Sequence, residues 1–194
     1  MLKVDKLSFS YGKKEVLKDL SFQLKKGEIL AVMGPSGCGK STLLHLLAGL
    51  RRGYHGTITS SAQKIAYAFQ EPRLFPWLTV AENLRAVVTD RKVTDEEIYG
   101  ILREIGLEDT QRLYPSELSG GMRSRVSLAR AMLYGGDLYL FDEPFAALDE
   151  KTRRELTVWL KQKIRETGAS AIFVTHQKGD AEAMADRILE LNRS

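Results

Sequence analysis

Polar and apolar residues alternate along residues 2–10, with Leu2 and Val4 in one phase and Leu7 and Phe9 in another. This pattern predicts a strand with a phase break. Tyr11-Gly12-Lys13-Lys14 reads as a turn, and the apolar positions Val16, Leu17, Leu20 and Phe22 predict a second strand antiparallel to the first. After the turn at Lys25-Lys26-Gly27 the pattern changes to a short apolar run, residues 29–33, and then to Leu43, Leu44, Leu46 and Leu47 at helical spacing. A strand, a loop and a helix are therefore expected in that order, with the helix ending near Ala48-Gly49-Leu50. Two short strands follow around 54–61 and 64–69.

Residues 72–125 read differently. Pro72 and Pro76 interrupt regular structure, and two capping boxes, Thr79-Val80-Ala81-Glu82 and Thr94-Asp95-Glu96-Glu97, each open a helix. Ile98, Ile101, Leu102 and Ile105 form the apolar face of the second, which Gly106 ends; the charges between 90 and 112 read as solvated faces. Arg125, Val126, Leu128, Ala129 and Met132 again keep helical spacing. Apolar runs at 137–141 and 171–175 predict buried strands, and 187–191 is strand-like. The expectation is an α/β fold, a mainly parallel sheet flanked by helices, with an N-terminal antiparallel β portion. In it, residues 1–71 and 126–194 form the core and 72–125 a helical insertion.

Composition narrows this only in part. A chain of 194 residues fits one compact domain with a small inserted subdomain. No apolar run approaches the roughly 20 residues that cross a bilayer, and residues 1–12 lack the order of a signal peptide. A soluble, cytosolic protein is expected. Cys38 is the single cysteine, which excludes an internal disulfide and any multi-cysteine metal site. The net charge of +4 is spread along the chain, so nucleic acid is not expected; an anionic nucleotide and a membrane-proximal partner suit it equally.

The chemistry concentrates at residues 34–42, Gly34-Pro35-Ser36-Gly37-Cys38-Gly39-Lys40-Ser41-Thr42, which fit G-x-x-x-x-G-K-[ST] between a strand and a helix. The glycines let the backbone curl with its amides inward, a nest that attracts phosphate at a helix N-terminus. Lys40 adds a positive charge, and Ser41 places a hydroxyl where a Mg2+ ion would bridge the outer phosphates. Cys38 is expected to contribute mainly backbone.

Further candidates lie at the ends of predicted strands. Gln70 either satisfies its own loop or faces the crevice at the sheet edge, within reach of a metal or an attacking water. Asp142-Glu143 follows a buried strand, so that Asp142 can hold Mg2+ opposite Ser41 while Glu143 orients or deprotonates the water. His176 ends another strand and either serves its own loop or reaches the γ-phosphate. Tyr11 is an aromatic ring on a turn, available to stack on a base. Ser119, Gly120 and Gly121 meet a helix N-terminus, a second anion-binding end without a lysine. Residues 71–77 offer Leu74, Phe75 and Trp77, which either fold back on the core or dock a partner.

Taken in order, these motifs resemble the ATP-binding subunit of an ATP-binding-cassette transporter over essentially the whole chain. The resemblance implies Mg-dependent ATP hydrolysis. It assigns adenine stacking to Tyr11, the phosphate loop to 34–42, the signature sequence to 118–122, the D-loop to Ala147-Leu148-Asp149 and the switch histidine to His176. It also implies a head-to-tail dimer in which Ser119, Gly120, Gly121 and Asp149 of one copy complete the ATP site of the other. Residues 70–77 are similar to the nitrate, sulfonate and taurine importers. That implies a bacterial importer whose permease subunits seat on the 71–77 loop, with a substrate-binding protein in the full system, and a subunit held at the inner face of the cell membrane. An alternative is a non-transport cassette ATPase acting in envelope remodelling, DNA repair or translation. Three departures stand out: Ser124 for a glutamine common after the signature, Gln177 for the aspartate usual after the switch histidine, and a short stretch over 49–70. The C-terminal extension of many relatives is not expected after 187–191.

Overall fold

The computed structural model of the chain describes residues 1–192. Its centre is a five-stranded parallel sheet in the order β5-β6-β7-β3-β8. The strands are β3 (Ile29–Met33), β5 (Ile65–Ala68), β6 (Leu138–Asp142), β7 (Ser170–Val174) and β8 (Arg187–Glu190). Every residue of β6 and β7 is buried, as expected where both faces of a parallel sheet are covered.

Side chains on a strand alternate between faces, and here the alternation sorts the core into two halves. Ile29, Ala31, Tyr139, Phe141, Ala171 and Phe173 face one side, packing with α2 (Val80–Arg85), α3 (Asp95–Glu104), α4 (Gly120–Tyr134) and α5 (Glu150–Thr167). Leu30, Val32, Leu138, Leu140, Ile172 and Val174 face the other, against α1 (Lys40–Leu47) and an antiparallel sheet. That sheet has the order β2-β1-β4, from β1 (Leu2–Tyr11), β2 (Lys14–Leu24) and β4 (His55–Ser60). The phase break read in residues 2–10 is an irregular register between Val4 and Leu7, where Lys6 adopts φ 49° and its N–H donates to Ser21 Oγ at 2.8 Å.

Both capping boxes are present. Thr79 and Thr94 accept from the N–H groups of Glu82 and Glu97, whose carboxylates return to the capping backbone. A 3-10 turn, Pro115–Glu117, leads into α4, where Ser119 Oγ accepts from the Met122 N–H at 3.1 Å. The last elements, α5 and the short α6 (Lys178–Met184), lie between β6, β7 and β8. Among the described residues no helix is long and apolar enough to cross a membrane.

Candidate active site

Parallel strands end together, so the loops after β3, β5, β6 and β7 meet at one sheet edge. The loop after β3 wraps the N-terminus of α1. Gly39, the residue before α1, has φ 100°, and a Cβ there would lie 2.8 Å from Val16 Cγ1. Gly34 is more confined, since at φ 152° a Cβ would meet the Leu191 carbonyl at 2.4 Å. No L side chain fits that contact, so the close passage of this loop beside the end of β8 requires glycine.

The loop borders a cleft of about 280 Å³ lined by Tyr11, Lys14, Val16, Ser36, Gly37, Gly39, Lys40, Ser41, Thr42, Gln70 and Glu143. Lys40 is buried, and its Nζ donates to the carbonyls of Gly34 at 2.8 Å and Pro35 at 3.0 Å, across the mouth of its own loop. Cys38 is also buried, but its thiol belongs to the core cluster of β1 and α1 and not to the cleft. Pro35 contributes its carbonyl to Lys40.

Asp142, at the end of β6, is 3% exposed and accepts a hydrogen bond from Ser41 Oγ at 3.0 Å. Burial pushes its carboxyl above the usual carboxylate range, and the Ser41 bond offsets part of that effect. Behind it stand Tyr67 and His45, stacked with ring centroids 5.8 Å apart. Burial raises the Tyr67 phenol and lowers the His45 imidazole. Two hard oxygen donors beside a phosphate loop fit Mg2+, which takes few protein ligands and completes its shell with phosphate and water. Glu143 follows with φ 48°, a left-handed conformation that costs a non-glycine residue about 1–3 kcal/mol. The strand edge holds it, because the Glu143 N–H donates to the Val174 carbonyl at 3.1 Å. His176 Nδ1 lies 3.2 Å from Glu143 Oε2, joining the ends of β6 and β7.

Tyr11 lies at the cleft with its hydroxyl 3.4 Å from Thr42 Oγ1, while the Arg51 guanidinium lies 4.8 Å from its ring centroid. One ring face is thus backed by a cation. The remaining predicted residues lie elsewhere. Ser119, Gly120, Gly121 and Asp149 do not line the cleft. Instead, a Cβ on Gly121 would meet the Ala147 carbonyl at 3.2 Å, so the α4 N-terminus packs against the segment before α5 in the same chain. Asp149 caps α5, accepting from the Thr152 N–H at 3.0 Å, and that bond holds its carboxyl below the usual range. The sequence did not single out Lys14, Val16, His45, Tyr67 or Arg51, which belong to ordinary strand, helix and turn patterns.

The 71–77 loop divides between the two readings made of it. Leu74 packs on the core, whereas Phe75 is 38% and Trp77 70% exposed, with ring centroids 5.8 Å apart. The buried Asn83 amide braces this loop, donating to the carbonyls of Phe75, Leu78 and Thr79 at 3.0 Å each.

A parallel sheet with a glycine-lined phosphate loop at its edge, and an acid pair on the neighbouring strand, defines a P-loop NTPase. The family profile described as ABC transporter matches residues 17–146, and the chain belongs to that family. Over 188 residues it is 40% identical to the aliphatic sulfonates import ATP-binding protein SsuB 2 of Burkholderia cenocepacia, covering 93% of this chain and 70% of the relative. It is 39% identical over 212 residues to the arginine transport ATP-binding protein ArtM of Bacillus subtilis, covering 100% and 88%. Among solved structures it is similar to a dimeric ATP-binding cassette in a post-hydrolysis state bound to ADP and Pi. The TM-score is 0.87, at 29% identity over 98% of this chain and 94% of that one.

The burial of Asp142 yields a direct expectation. Its folded-state pKa is raised, so its ionised form costs stability once the pH passes the ordinary Asp value of about 3.9, and the cost is complete above the folded value. Asp142→Asn removes that charge and keeps an acceptor for Ser41. Without nucleotide or metal, the variant melts higher than the parent at neutral pH, by about 2–4 °C per kcal/mol relieved at this chain length. The difference closes on acidification, as thermal unfolding at several pH values would show; a lower melting point at neutral pH would refute the assignment of strain to this carboxylate.

Proposed function

We propose that this chain is the ATP-hydrolysing subunit of a bacterial ABC importer and that it works as a head-to-tail dimer. The observation that carries the reading is the pairing of two contacts on one rim of the phosphate-loop cleft: Ser41 with Asp142 at 3.0 Å, and Glu143 with His176 at 3.2 Å. The first suits a metal bound with the triphosphate, the second a water held for attack on it.

In this reading the backbone N–H groups of Gly34 and of Ser36 to Thr42, with the Lys40 ammonium, hold the phosphates, Pro35 shaping the loop between them, and Tyr11 stacks on the adenine. Ser41 and Asp142, with Gln70 near, hold Mg2+, which when bound offsets the phosphate charge. Glu143 takes the proton of the attacking water, and His176 holds Glu143 and the γ-phosphate in register. Ser119, Gly120, Gly121 and Asp149 stand outside their own cleft, so they serve the cleft of a second copy. The dimeric cassette to which this chain is similar supports that arrangement. The 72–125 segment is the transport-facing part. Phe75 and Trp77, exposed on a braced loop, seat the permease, which holds the subunit at the cytoplasmic face of the membrane; a substrate-binding protein selects the solute. The import names of the sulfonate and arginine relatives support this direction of transport.

Turnover per chain is the test. If each site needs two copies, specific ATPase activity rises with protein concentration in the dilute range, in step with dimer measured by sedimentation. Turnover that stays constant per chain while the protein sediments as a monomer would exclude the shared site.

A further inference from the structure

The turn that carries His176 is fastened to the segment behind the acid pair at a second point, away from the cleft. Arg153, in the first turns of α5, donates through Nη1 to Gln177 Oε1 at 2.5 Å and through Nη2 to the Leu148 carbonyl at 3.1 Å. Its Nε is buried without a partner, so the guanidinium is committed to these two acceptors. The Gln177 N–H donates to Thr175 Oγ1 at 3.1 Å, which sets the backbone from which the carboxamide reaches Arg153. Residues 143–148 and 175–177 are thus joined twice, by His176 with Glu143 at the front and by Gln177 with Arg153 and Leu148 at the back.

The two joints differ in strength. The His176 side chain is 57% exposed, and an exposed contact of this kind gains little against water and side-chain entropy. The rear joint is half-buried and uses a planar cationic fork on fixed acceptors. Asp180 lies within electrostatic reach of both Arg153 and His176.

We propose that Arg153 is a positioning residue for hydrolysis, which by gripping Gln177 and the Leu148 carbonyl together fixes the separation of His176 and Glu143. Gln177 stands where the resemblance leads one to expect aspartate, and its carboxamide oxygen keeps an acceptor there for the Arg153 fork. The inference rests on the reading of Glu143 and His176 as the hydrolytic pair.

The experiment compares R153A, R153K, Q177A, Q177D and the double variant R153A/Q177A for steady-state ATP hydrolysis, ATP affinity and thermal unfolding. R153A lowers kcat about tenfold, equivalent to about 1.4 kcal/mol, with KM for ATP within about twofold of the parent. R153K, which keeps the charge but not the fork, behaves like R153A. Q177A lowers kcat by a smaller factor, and the double variant is no slower than R153A, the signature of one shared interaction. Q177D, which restores an acceptor, recovers most of the loss caused by Q177A. Parental kcat in R153A, losses that multiply independently in the double variant, or an effect confined to KM or melting temperature would each overturn the proposal. If R153A does not fold, Q177A decides alone: a folded Q177A with parental kcat overturns it. E143Q separates the underlying reading, since parental turnover there removes the hydrolytic pair whatever Arg153 does.

Discussion

Glu143→Gln suppresses ATP hydrolysis by about 10²- to 10⁴-fold, the scale of a lost general base, while ATP binding and the ATP-induced dimer persist. The residue is half-buried at the rim of the cleft, in a left-handed backbone conformation fixed by its N–H bond to the Val174 carbonyl. None of that depends on the carboxylate. Glutamine has the same length, keeps the backbone bond and offers an amide oxygen to His176 Nδ1, so the geometry around the phosphates survives. What it lacks is the capacity to take a proton from water. Phosphate release under saturating ATP, measured beside sedimentation of the ATP-bound protein, separates these effects. Turnover near the parent's would take Glu143 out of the role of base, and loss of the dimer would show that its charge serves assembly instead.

The predicted elements and candidate residues were readable to different depths, for physical reasons. The phosphate loop was legible because almost every position in it is dictated: glycine where φ is positive and a Cβ would strike the Leu191 carbonyl, lysine for charge, serine for a small hydroxyl. The strands β3, β6 and β7 announced themselves as unbroken apolar runs, since both sheet faces are covered. The long helix α5 did not, because its buried stripe is only Leu156, Thr157, Leu160 and Ile164 in a charged sequence, and its capping Asp149 drew notice as a motif residue. Strand order was also hidden. Val32 pairs with Val174 and Leu189, contacts that local periodicity does not encode. The acid pair and His176 could each be suspected at a strand end, but only the parallel order brings them within hydrogen-bond reach. Arg153 illustrates the remaining gap: in sequence it is one more cation on an amphipathic helix, and only packing shows that its fork faces the His176 turn.

Lys40→Ala acts at an earlier step and weakens nucleotide binding itself. The Lys40 ammonium is buried and spans the mouth of the loop to the carbonyls of Gly34 and Pro35. Those bonds keep a desolvated charge satisfied and hold the loop in its phosphate-accepting shape. A triphosphate offers the same ammonium anionic oxygens, so that donor and acceptor both carry charge and the attraction exceeds that to a neutral carbonyl. Alanine removes both the attraction and the brace. Truncating one partner of a buried charged pair costs about 2–5 kcal/mol, so the dissociation constant for ATP rises about 30-fold or more. Equilibrium binding of a fluorescent ATP analogue, with ATP as competitor, reads this directly. Affinity close to the parent's would mean that the backbone amides of residues 34–42 and the α1 N-terminus hold the phosphates alone. Lys40 would then act only during turnover. The contrast with Glu143→Gln tests the whole assignment, because one substitution should empty the cleft and the other should leave it filled but idle.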